Sequence, residues 1–225
     1  MSARVVVAMD GPSGSGKSST SRGVAARLGL RYLDTGAMFR AVTWWMLRHG
    51  VDIHDESAVA AHATDPVLQS GTDPLAPTIS VDGTDVAGPI RTQAVTAAVS
   101  AVSAVPEVRA RLLQVQRDII GDGGIVVEGR DIGTVVAPDA AVKVYLTADP
   151  DARAARRTAE MTEKSSVAAT QEDLIRRDRL DSGRTTAPLV KADDAHHIDT
   201  TPFTLDEVIA QVVELVEAAQ GSSQA

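Results

Sequence analysis

Short apolar runs that do not alternate with polar residues recur along the chain. They lie at residues 4–9, 31–34, 125–128 and 142–146, with a shorter candidate at 197–199. Unbroken β-branched runs of this length are typical of parallel strands whose two faces are both covered by helices. Residues 17–28 and 38–49 predict helices that follow the first two runs. The pattern therefore predicts an α/β fold around a central parallel sheet.

Residues 51–105 differ from this pattern, because they are rich in Ala, Asp, Thr and Pro and begin without a helical stripe. Residues 78–86 alternate around Asp82-Gly83, which predicts a hairpin with a primed turn. A helical stretch follows at 94–118, with a boundary at Pro106. A hairpin within an α/β chain indicates an inserted subdomain.

The last third of the chain holds a charged stretch and an amphipathic helix. Residues 149–184 predict two polar helices with a loop between them, and they contain the arginines 153, 156, 157, 176, 177, 179 and 184. Residues 204–219 place their apolar side chains on one helical face. Thr204 and Glu207 form a capping-box pattern, Gly221 is the expected stop, and the tail after it is expected to fray.

Composition and charge narrow the class of protein. The chain has 225 residues, 44% of them hydrophobic, and none of its apolar runs approaches the roughly 18 residues of a membrane span. It has no cysteine, which excludes disulfides and thiol chemistry. A net charge of -8 and an aromatic content of 3% argue against a nucleic-acid binder. We expect a cytoplasmic enzyme that acts on small molecules, and nothing in the sequence requires a dimer, so we expect a monomer.

Residues 11–18 read Gly-Pro-Ser-Gly-Ser-Gly-Lys-Ser and fit the phosphate-binding pattern G-x-x-x-x-G-K-[ST]. The pattern follows a predicted strand and opens a predicted helix, which is the context that phosphate binding requires. Backbone N–H groups converge on phosphate oxygens there, Lys17 reaches the β- and γ-phosphates, and the Ser18 hydroxyl is a ligand for Mg²⁺. The alternative is a Gly-rich turn without a ligand.

Two absences narrow the choice among phosphate-loop proteins. The chain contains no asparagine, so the N-K-x-D motif by which GTPase switches read guanine is impossible. The strand at 125–128 ends in Glu followed by Gly, whereas ATP-driven motors usually have Asp at this position. A kinase for a small acceptor remains, and such an enzyme needs a second phosphate site.

Two segments are candidates for this second site. Thr35 is a possible cap for the second helix, Gly36 leaves its N-terminus open to an anion, and Arg40 lies one turn further. Arg130 and Asp131 follow the third strand, at the strand ends where α/β proteins bind ligands. The alternatives are a plain capped helix and an Arg–Asp pair that only stabilises a loop.

An acidic residue, a tryptophan pair and a histidine pair each have a structural interpretation as well as a functional one. Asp34 is a candidate either for a water-mediated Mg²⁺ contact or for a helix cap. Trp44 and Trp45 are expected to pack the second helix against the core or the insert. His196 and His197 are adjacent on a predicted strand and point to opposite faces, so they are not expected to bind a metal.

Several segments carry a specific resemblance. Gly-Pro-Ser-Gly-x-Gly-Lys-Ser, Tyr-Leu-Asp-Thr-Gly-Ala-Met-Phe-Arg, Val-x-x-Val-Pro-x-Val-Arg, Glu-Gly-Arg-Asp-Ile-Gly-Thr-Val-Val-x-Pro-Asp-Ala and the Arg-rich stretch ending in Ala-Pro-Leu occur in this order along essentially the whole chain. Together they resemble the bacterial cytidylate kinases. The resemblance implies a three-layer P-loop fold with a core at 1–60, 105–150 and 187–225, a small β-containing insert for the nucleoside monophosphate at 61–104, and an Arg-rich helical lid at 151–186.

The resemblance also implies roles for individual residues. Those that hold ATP are Gly11, Pro12, Ser13, Gly14, Ser15, Gly16, Lys17, Ser18 and Ser19, with Ser18 as the Mg²⁺ ligand. Those that hold the CMP phosphate are Thr35, Arg40 and Arg130, and those that read cytosine are Ser100, Arg109 and Asp131. The lid-end group near the ribose and the transferred phosphoryl is Arg177, Asp181 and Arg184. The residues expected to act in catalysis are Lys17, Arg130, Arg153, Arg157 and Arg184.

Two positions depart from the family pattern. Phe39 stands where tyrosine is common, which removes a hydroxyl beside Arg40. Ser18-Ser19 stands where Gly-Thr is common in some members, and both versions leave a hydroxyl nearby.

The leading hypothesis is an ATP- and Mg²⁺-dependent kinase for CMP and dCMP. Two alternatives stay open at this point. One is a P-loop kinase for another acceptor, such as UMP or a non-nucleotide. The other is a binding module that hydrolyses ATP slowly to regulate a partner, which would need a large exposed apolar patch.

Overall fold

A computed structural model describes residues 4–160, 166–184 and 186–222. The strands in chain order are β1 (Val6–Asp10), β2 (Arg31–Asp34), β3 (Leu68–Ser70), β4 (Ile79–Val81), β5 (Thr84–Asp85), β6 (Ile125–Glu128), β7 (Val142–Thr147) and β8 (His196–Asp199). The helices are α1 (Lys17–Leu28), α2 (Thr35–Arg48), α3 (Glu56–Ala61), α4 (Gln93–Ala104), α5 (Pro106–Ile120), α6 (Pro150–Glu160), α7 (Val167–Ser182) and α8 (Leu205–Ser222).

The central sheet confirms the predicted α/β fold. Its five strands lie in the order β2-β6-β1-β7-β8, and every neighbouring pair is parallel. The registers pair Asp34 with Glu128, Met9 with Glu128 and Asp10 with Tyr145, so the carboxyl ends of four strands lie level at one edge. Polar groups at these ends therefore face the same space.

The sheet is covered on both faces by separate apolar clusters. One cluster packs α2, α4 and α5 against the sheet and includes Met38, Met46 and Leu112. The other packs α1 and α8 against the opposite face and includes Val24 and Val212. This arrangement explains why the core strands are apolar without alternation.

A small antiparallel sheet, β3-β4-β5, forms between α3 and α4 and confirms the predicted hairpin. Asp82 and Gly83 have φ angles of 50° and 75°, as a type I′ turn requires at both central residues. β3 and α3 were not predicted from the sequence, because β3 has only three residues and α3 only six. The domain boundaries at 60/61, 104/105, 150/151 and 186/187 stay a prediction.

Several predicted element bounds are wrong. β7 extends to Thr147, β8 begins at His196, and the helical stretch predicted at 94–118 spans 93–120 with the expected boundary at Pro106. β1 is Val6–Asp10 and not 4–9, and α2 begins at Thr35 and not at residue 38. α8 continues through Gly221 to Ser222, so this glycine does not stop the helix, and the tail at 223–225 lies outside the described residues. The capping box of α8 is confirmed, because the Thr204 N–H donates to Glu207 Oε2 at 2.8 Å and the Glu207 N–H donates to Thr204 Oγ1 at 3.4 Å.

The two predicted polar helices of the charged stretch are α6 and α7, and most of the loop between them lies outside the described residues. Across the described ranges, every helix is too short or too polar to cross a membrane.

Candidate active site

The loop between β1 and α1 forms a tight backbone cradle. Gly14 and Gly16 have φ angles of 78° and 87°, which L side chains rarely adopt. A Cβ atom on Gly11 would lie 2.1 Å from the backbone oxygen of Leu146 in the neighbouring strand β7. Glycine is therefore required here by backbone conformation and by close approach, and the N-terminus of α1 opens directly onto the loop.

Lys17 and Ser18 begin α1 and face the ends of the strands. The Lys17 ammonium is buried and donates to the Pro12 carbonyl at 2.7 Å. Ser18 Oγ donates to Glu128 Oε2, the carboxylate that ends β6, at 2.9 Å. Burial lowers the pKa of Lys17 and raises that of Glu128, since it disfavours both charged forms. The two groups lie close enough to interact, and each favours the charged form of the other against the effect of burial.

Asp10 ends β1 and organises the loop after β6. Its two carboxylate oxygens accept the backbone N–H groups of Ile132 and Gly133 at 2.9 and 2.8 Å. Burial raises the pKa of Asp10 to about 6, and the two N–H donors oppose this shift. Asp10 therefore fixes the segment that carries Arg130 and Asp131.

The start of α2 differs from the predicted cap. The capping residue is Asp34, whose Oδ1 accepts the Ala37 N–H at 2.9 Å, so the capping alternative for Asp34 is confirmed and the capping role expected for Thr35 is wrong. Thr35 is the first helical residue, and its Oγ1 donates to the Glu128 carbonyl at 2.7 Å. Arg40 lies further along the helix and donates to Thr96 Oγ1 at 3.0 Å in α4.

Arginine side chains converge on the space between α2, the loop after β6 and α7. The pKa of Arg40 is lowered to about 9 and that of Arg177 to about 10, and burial is the largest cause in both. Neighbouring arginines contribute to these shifts: Arg177, Arg157 and Arg130 act on Arg40, and Arg130 and Arg157 act on Arg177. Such mutual repulsion is relieved by a multivalent anion, and Arg177 Nε is buried without a hydrogen-bond partner in the described structure.

Asp181 orients part of this cluster from α7. Its carboxylate accepts Arg130 Nε at 3.2 Å and Arg184 Nη2 at 3.0 Å. The side chain of Asp181 is buried, and that of Arg184 is mostly buried. One carboxylate thus joins the loop after β6 to the end of α7.

A buried ion pair lies at the far end of the same space. Arg109 Nη2 of α5 contacts Asp131 Oδ2 at 2.5 Å, and each side chain is 8% exposed. Arg109 Nη1 also donates to the Ser103 carbonyl at 3.0 Å, and the Arg109 guanidinium lies 5.2 Å from the centre of the Phe39 ring. The ring at this position therefore supports Arg109, although its hydroxyl is missing.

The charged helices α6 and α7 contact the cradle directly. Arg153 of α6 forms an ion pair with Asp178 of α7, and Asp178 Oδ1 accepts the Ser13 N–H at 3.4 Å. Arg156 donates to Thr200 Oγ1 at 2.8 Å, and Thr200 Oγ1 donates to the Ser15 carbonyl at 3.1 Å. Helices α6 and α7 are therefore linked to the phosphate loop by two separate sets of contacts.

One cleft of about 1110 Å³, including solvent at its mouth, joins these groups. The predicted residues that line it are Ser13, Gly14, Gly16, Lys17, Ser18, Ser19, Thr35, Arg40, Ser100, Arg109, Arg130, Asp131, Arg157, Arg177, Asp181 and Arg184. The predicted residues that do not line it are Gly11, Pro12, Ser15 and Arg153. Arg153 instead lies behind the cradle, where a Cβ on Gly14 would lie 2.8 Å from its backbone oxygen.

Several residues of this region were not predicted as site residues from the sequence, namely Asp10, Tyr32, Arg91, Glu128 and Asp178. Asp10, Tyr32 and Glu128 share a sequence signal that could have identified them, because they lie at or near the carboxyl ends of neighbouring parallel strands. Arg91 has no such sequence signal, and only its position in the cleft lining, on the turn before α4, identifies it. Asp178 has no sequence signal that separates it from the other acidic residues of α7.

The packing role expected for the tryptophan pair is confirmed, because Trp45 belongs to the buried core and Trp44 packs against it. Trp45 Nε1 donates to Asp82 Oδ2 at 2.8 Å and so joins α2 to the hairpin of the small sheet. His197 contacts Thr147 Oγ1 at 2.8 Å. Within the described ranges, no group of three or more His, Cys, Asp or Glu side chains is placed to hold a metal ion.

The family model and the similar proteins found by sequence comparison agree on one family. The model of the Cytidylate kinase family matches residues 7–218. A cytidylate kinase from Streptomyces griseus is 63% identical over 215 residues, which cover 95% of this chain and 93% of that protein. A cytidylate kinase from Nocardia farcinica is 53% identical over 226 residues, which cover 98% of this chain and 97% of that protein.

A solved structure of an uncharacterized protein from Eubacterium ventriosum shares the fold. Its TM-score is 0.54 at 10% identity, covering 95% of this chain and 99% of that one. At this identity the likeness concerns the fold alone. The family model and the close relatives, by contrast, cover nearly the whole chain, including the cradle, the arginine cluster and the Arg109–Asp131 pair. The chain belongs to the cytidylate kinase family.

Proposed function

We propose that this ATP-dependent nucleoside monophosphate kinase phosphorylates CMP and dCMP, with Mg²⁺, and releases ADP with CDP or dCDP. The observation that carries the proposal is the single cleft, which holds a phosphate cradle, a separate arginine cluster and a buried Arg–Asp pair. A donor triphosphate, an acceptor phosphate and a base edge each require one of these three features.

The cradle suits the donor. Backbone N–H groups of residues 13–16 and the N-terminus of α1 favour the triphosphate, and the ammonium of Lys17 supplies a positive charge beside it. Ser19 lines the cleft at the first turn of the same helix.

Ser18 and Glu128 fit a magnesium ion by the chemistry of their oxygens. Mg²⁺ prefers oxygen ligands, keeps several waters and needs few protein ligands when phosphates bind it. Ser18 Oγ would be the direct ligand, and Glu128 would accept its hydroxyl hydrogen as it does in the structure. When bound, the ion would neutralise charge that develops on the β- and γ-phosphates.

The acceptor is proposed to lie between α2, the loop after β6 and α7. Arg40 and Arg130 would hold its phosphate together with the Thr35 hydroxyl, and Arg177, Asp181 and Arg184 would contact its ribose and the transferred group. Ser100, Arg109 and Asp131 would read the base. The carboxylate of Asp131 is suited to cytosine, because cytosine presents an amino donor at N4.

The transfer needs no covalent intermediate on the protein. An acceptor phosphate oxygen forms a bond with the γ-phosphorus of ATP, and the bond from this phosphorus to the β,γ-bridging oxygen breaks. Lys17, Arg130, Arg157 and Arg184 would stabilise the negative charge on the oxygens around that phosphorus. Arg153, held by Asp178 behind the cradle, would act by placing the lid rather than by touching the phosphates in this arrangement.

Residues 61–104 would form the acceptor insert and residues 151–186 the lid. The separate sheet β3-β4-β5 supports the first, and the contacts of α6 and α7 with the cradle support the second. The cytoplasmic location and the monomeric state stay predictions.

A coupled assay of ADP release with Mg²⁺ and ATP tests the proposal on a panel of CMP, dCMP, UMP, AMP, GMP and shikimate. We expect CMP and dCMP to be phosphorylated at least about a hundredfold more efficiently than AMP or GMP, since unpaired buried polar groups penalise a wrong base. Equal turnover of CMP and AMP, or faster turnover of UMP than of CMP, would contradict the assignment of the acceptor.

A further inference from the structure

Tyr32 is a buried tyrosine that the phosphate-transfer roles above do not use. It lies in β2, is 2% exposed, and its hydroxyl donates to Glu128 Oε1 in the neighbouring parallel strand β6. Glu128 is 3% exposed, and its other oxygen, Oε2, accepts the Ser18 hydroxyl. The two oxygens of one carboxylate are therefore held by two different hydroxyl groups.

This arrangement fixes the direction of the Ser18 oxygen. A serine hydroxyl has one hydrogen and two lone pairs. Since the hydrogen is donated to Glu128, the lone pairs of Ser18 Oγ can bind another partner, and Ser18 lines the cleft. Tyr32 holds the opposite oxygen of Glu128, so the carboxylate cannot turn about its last bond without losing a buried hydrogen bond.

We propose that Tyr32 is a positioning residue for the Mg²⁺–ATP complex, acting through Glu128 on Ser18. The proposal rests on the proposed function, because it concerns the ion that Ser18 would bind. Groups that hydrogen-bond to metal ligands orient them, and their loss weakens metal binding even though they do not touch the ion. Tyr32 would thus affect nucleotide binding only when magnesium is present.

Tyr32→Phe removes the hydroxyl and leaves the ring in place. The backbone contact of residue 32, whose N–H donates to the Thr72 carbonyl at 2.8 Å, is the same in the variant. Tyr145→Phe is the matched control, because it makes the same chemical change at the other of the two tyrosines. Tyr145 lies in β7 and is only partly buried.

Titration calorimetry of ATP, with and without magnesium, gives a readout that is independent of turnover. With magnesium, we expect Tyr32→Phe to weaken ATP binding about three- to tenfold, which is the size of effect that loss of one hydrogen bond to a charged group allows. Without magnesium, we expect ATP binding to be unchanged. In turnover assays, the magnesium concentration for half-maximal rate should rise by a similar factor, while KM for CMP stays within about twofold. Tyr145→Phe should match the wild type in all these measurements.

A double-mutant cycle with Glu128→Gln shows whether Tyr32 acts through Glu128. We expect Tyr32→Phe to add less than about twofold once Glu128 is Gln, since the two changes affect one chain of contacts. Equal losses in both backgrounds, or a loss of ATP affinity that is the same without magnesium, would overturn the proposal. So would a variant that binds Mg²⁺ and ATP as the wild type does.

Two arms keep the test decisive. If Tyr32→Phe does not fold, Glu128→Asp breaks the same hydrogen bond from the other side, and a wild-type response of that variant to magnesium would overturn the proposal. Failure of the proposed function is seen separately in the wild type, as absence of CMP turnover or as turnover that does not depend on magnesium.

Discussion

Several charged side chains in or near the core of this protein pair with a charge from a different element. Arg109 of α5 meets Asp131 after β6, and Arg130 meets Asp181 of α7. Removal of one partner of a buried pair leaves an unpaired charge, which costs about 3–5 kcal/mol of stability. Experiments on these residues therefore need substitutions that keep the shape and the hydrogen bonds of the pair.

Asp131→Asn is such a substitution, and we expect it to change the preference among acceptors. The Asn amide can still accept from Arg109, but it can also donate to the O4 acceptor of uracil, whereas the carboxylate favours the N4 donor of cytosine. The ratio of kcat/KM for CMP to that for UMP should fall about tenfold or more, which corresponds to the 1–3 kcal/mol typical of one base contact. Steady-state assays with both acceptors measure this ratio.

Asp139→Asn, the same change at an exposed aspartate, is the control and should leave the ratio unchanged. If Asp131→Asn lowered kcat/KM for CMP and UMP by the same factor, Asp131 would hold the loop without reading the base. Urea unfolding of each variant shows whether the protein remains folded under the assay conditions.

At the scale of elements, local sequence signals predicted the core better than the insert. β2, β6 and α1 have the predicted bounds, because an apolar run or a Gly-rich loop delimits each of them. β3 and α3 have no comparable signal, since three residues cannot show a period and the long-range pairing of β3 with β4 creates the strand.

The site shows the same division between local and distant signals. The cradle is contiguous in sequence and was predicted as a motif. Glu128 was noted only as a strand end, because its contacts with Tyr32 and Ser18 are 96 and 110 residues away in the chain. The start of α2 was predicted three residues too late, although Asp34 is a preferred capping residue and was named as a candidate cap.

The packing of α1 on α8 gives a prediction at this scale. A Cβ on Gly23 would lie 2.2 Å from Cδ1 of Ile209, so Gly23→Ala should destabilise the protein by about 1–3 kcal/mol, the usual cost of overpacking. Ile209→Val removes this methyl group and alone should cost about 0.5–1.5 kcal/mol.

The double variant should be more stable than the sum of the two single effects by about 1 kcal/mol, because the closest contact, with Cδ1, is absent and only the 2.9 Å contact with Cγ1 remains. Urea unfolding of the four proteins gives this coupling free energy. If the two changes in free energy of unfolding were strictly additive, Gly23 would not fix the distance between α1 and α8. Saturated CMP turnover should be the same in all four, since neither residue lines the cleft.

At the scale of the whole molecule, charge is segregated. The chain carries a net charge of -8, yet the cleft gathers arginines from α2, α5, α6, α7 and the loop after β6. Such a field attracts nucleotides while the rest of the surface repels other polyanions. The segregation explains how an acidic protein can bind two phosphorylated ligands, and why net charge alone predicted only that it does not bind nucleic acid.

The global stability should depend on pH through Asp10, whose folded pKa of about 6 lies above its ordinary value of 3.8. Between these two values the folded state binds more protons than the unfolded state, so this group lowers stability as pH rises through that window. A shift of this size corresponds to about 2–3 kcal/mol at about 1.4 kcal/mol per pKa unit. Asp10→Asn cannot titrate, so its free energy of unfolding should gain about 2–3 kcal/mol relative to the wild type between pH 4 and pH 7. Urea unfolding at several pH values measures both proteins, and parallel curves would show that the Ile132 and Gly133 N–H groups keep Asp10 ionised throughout.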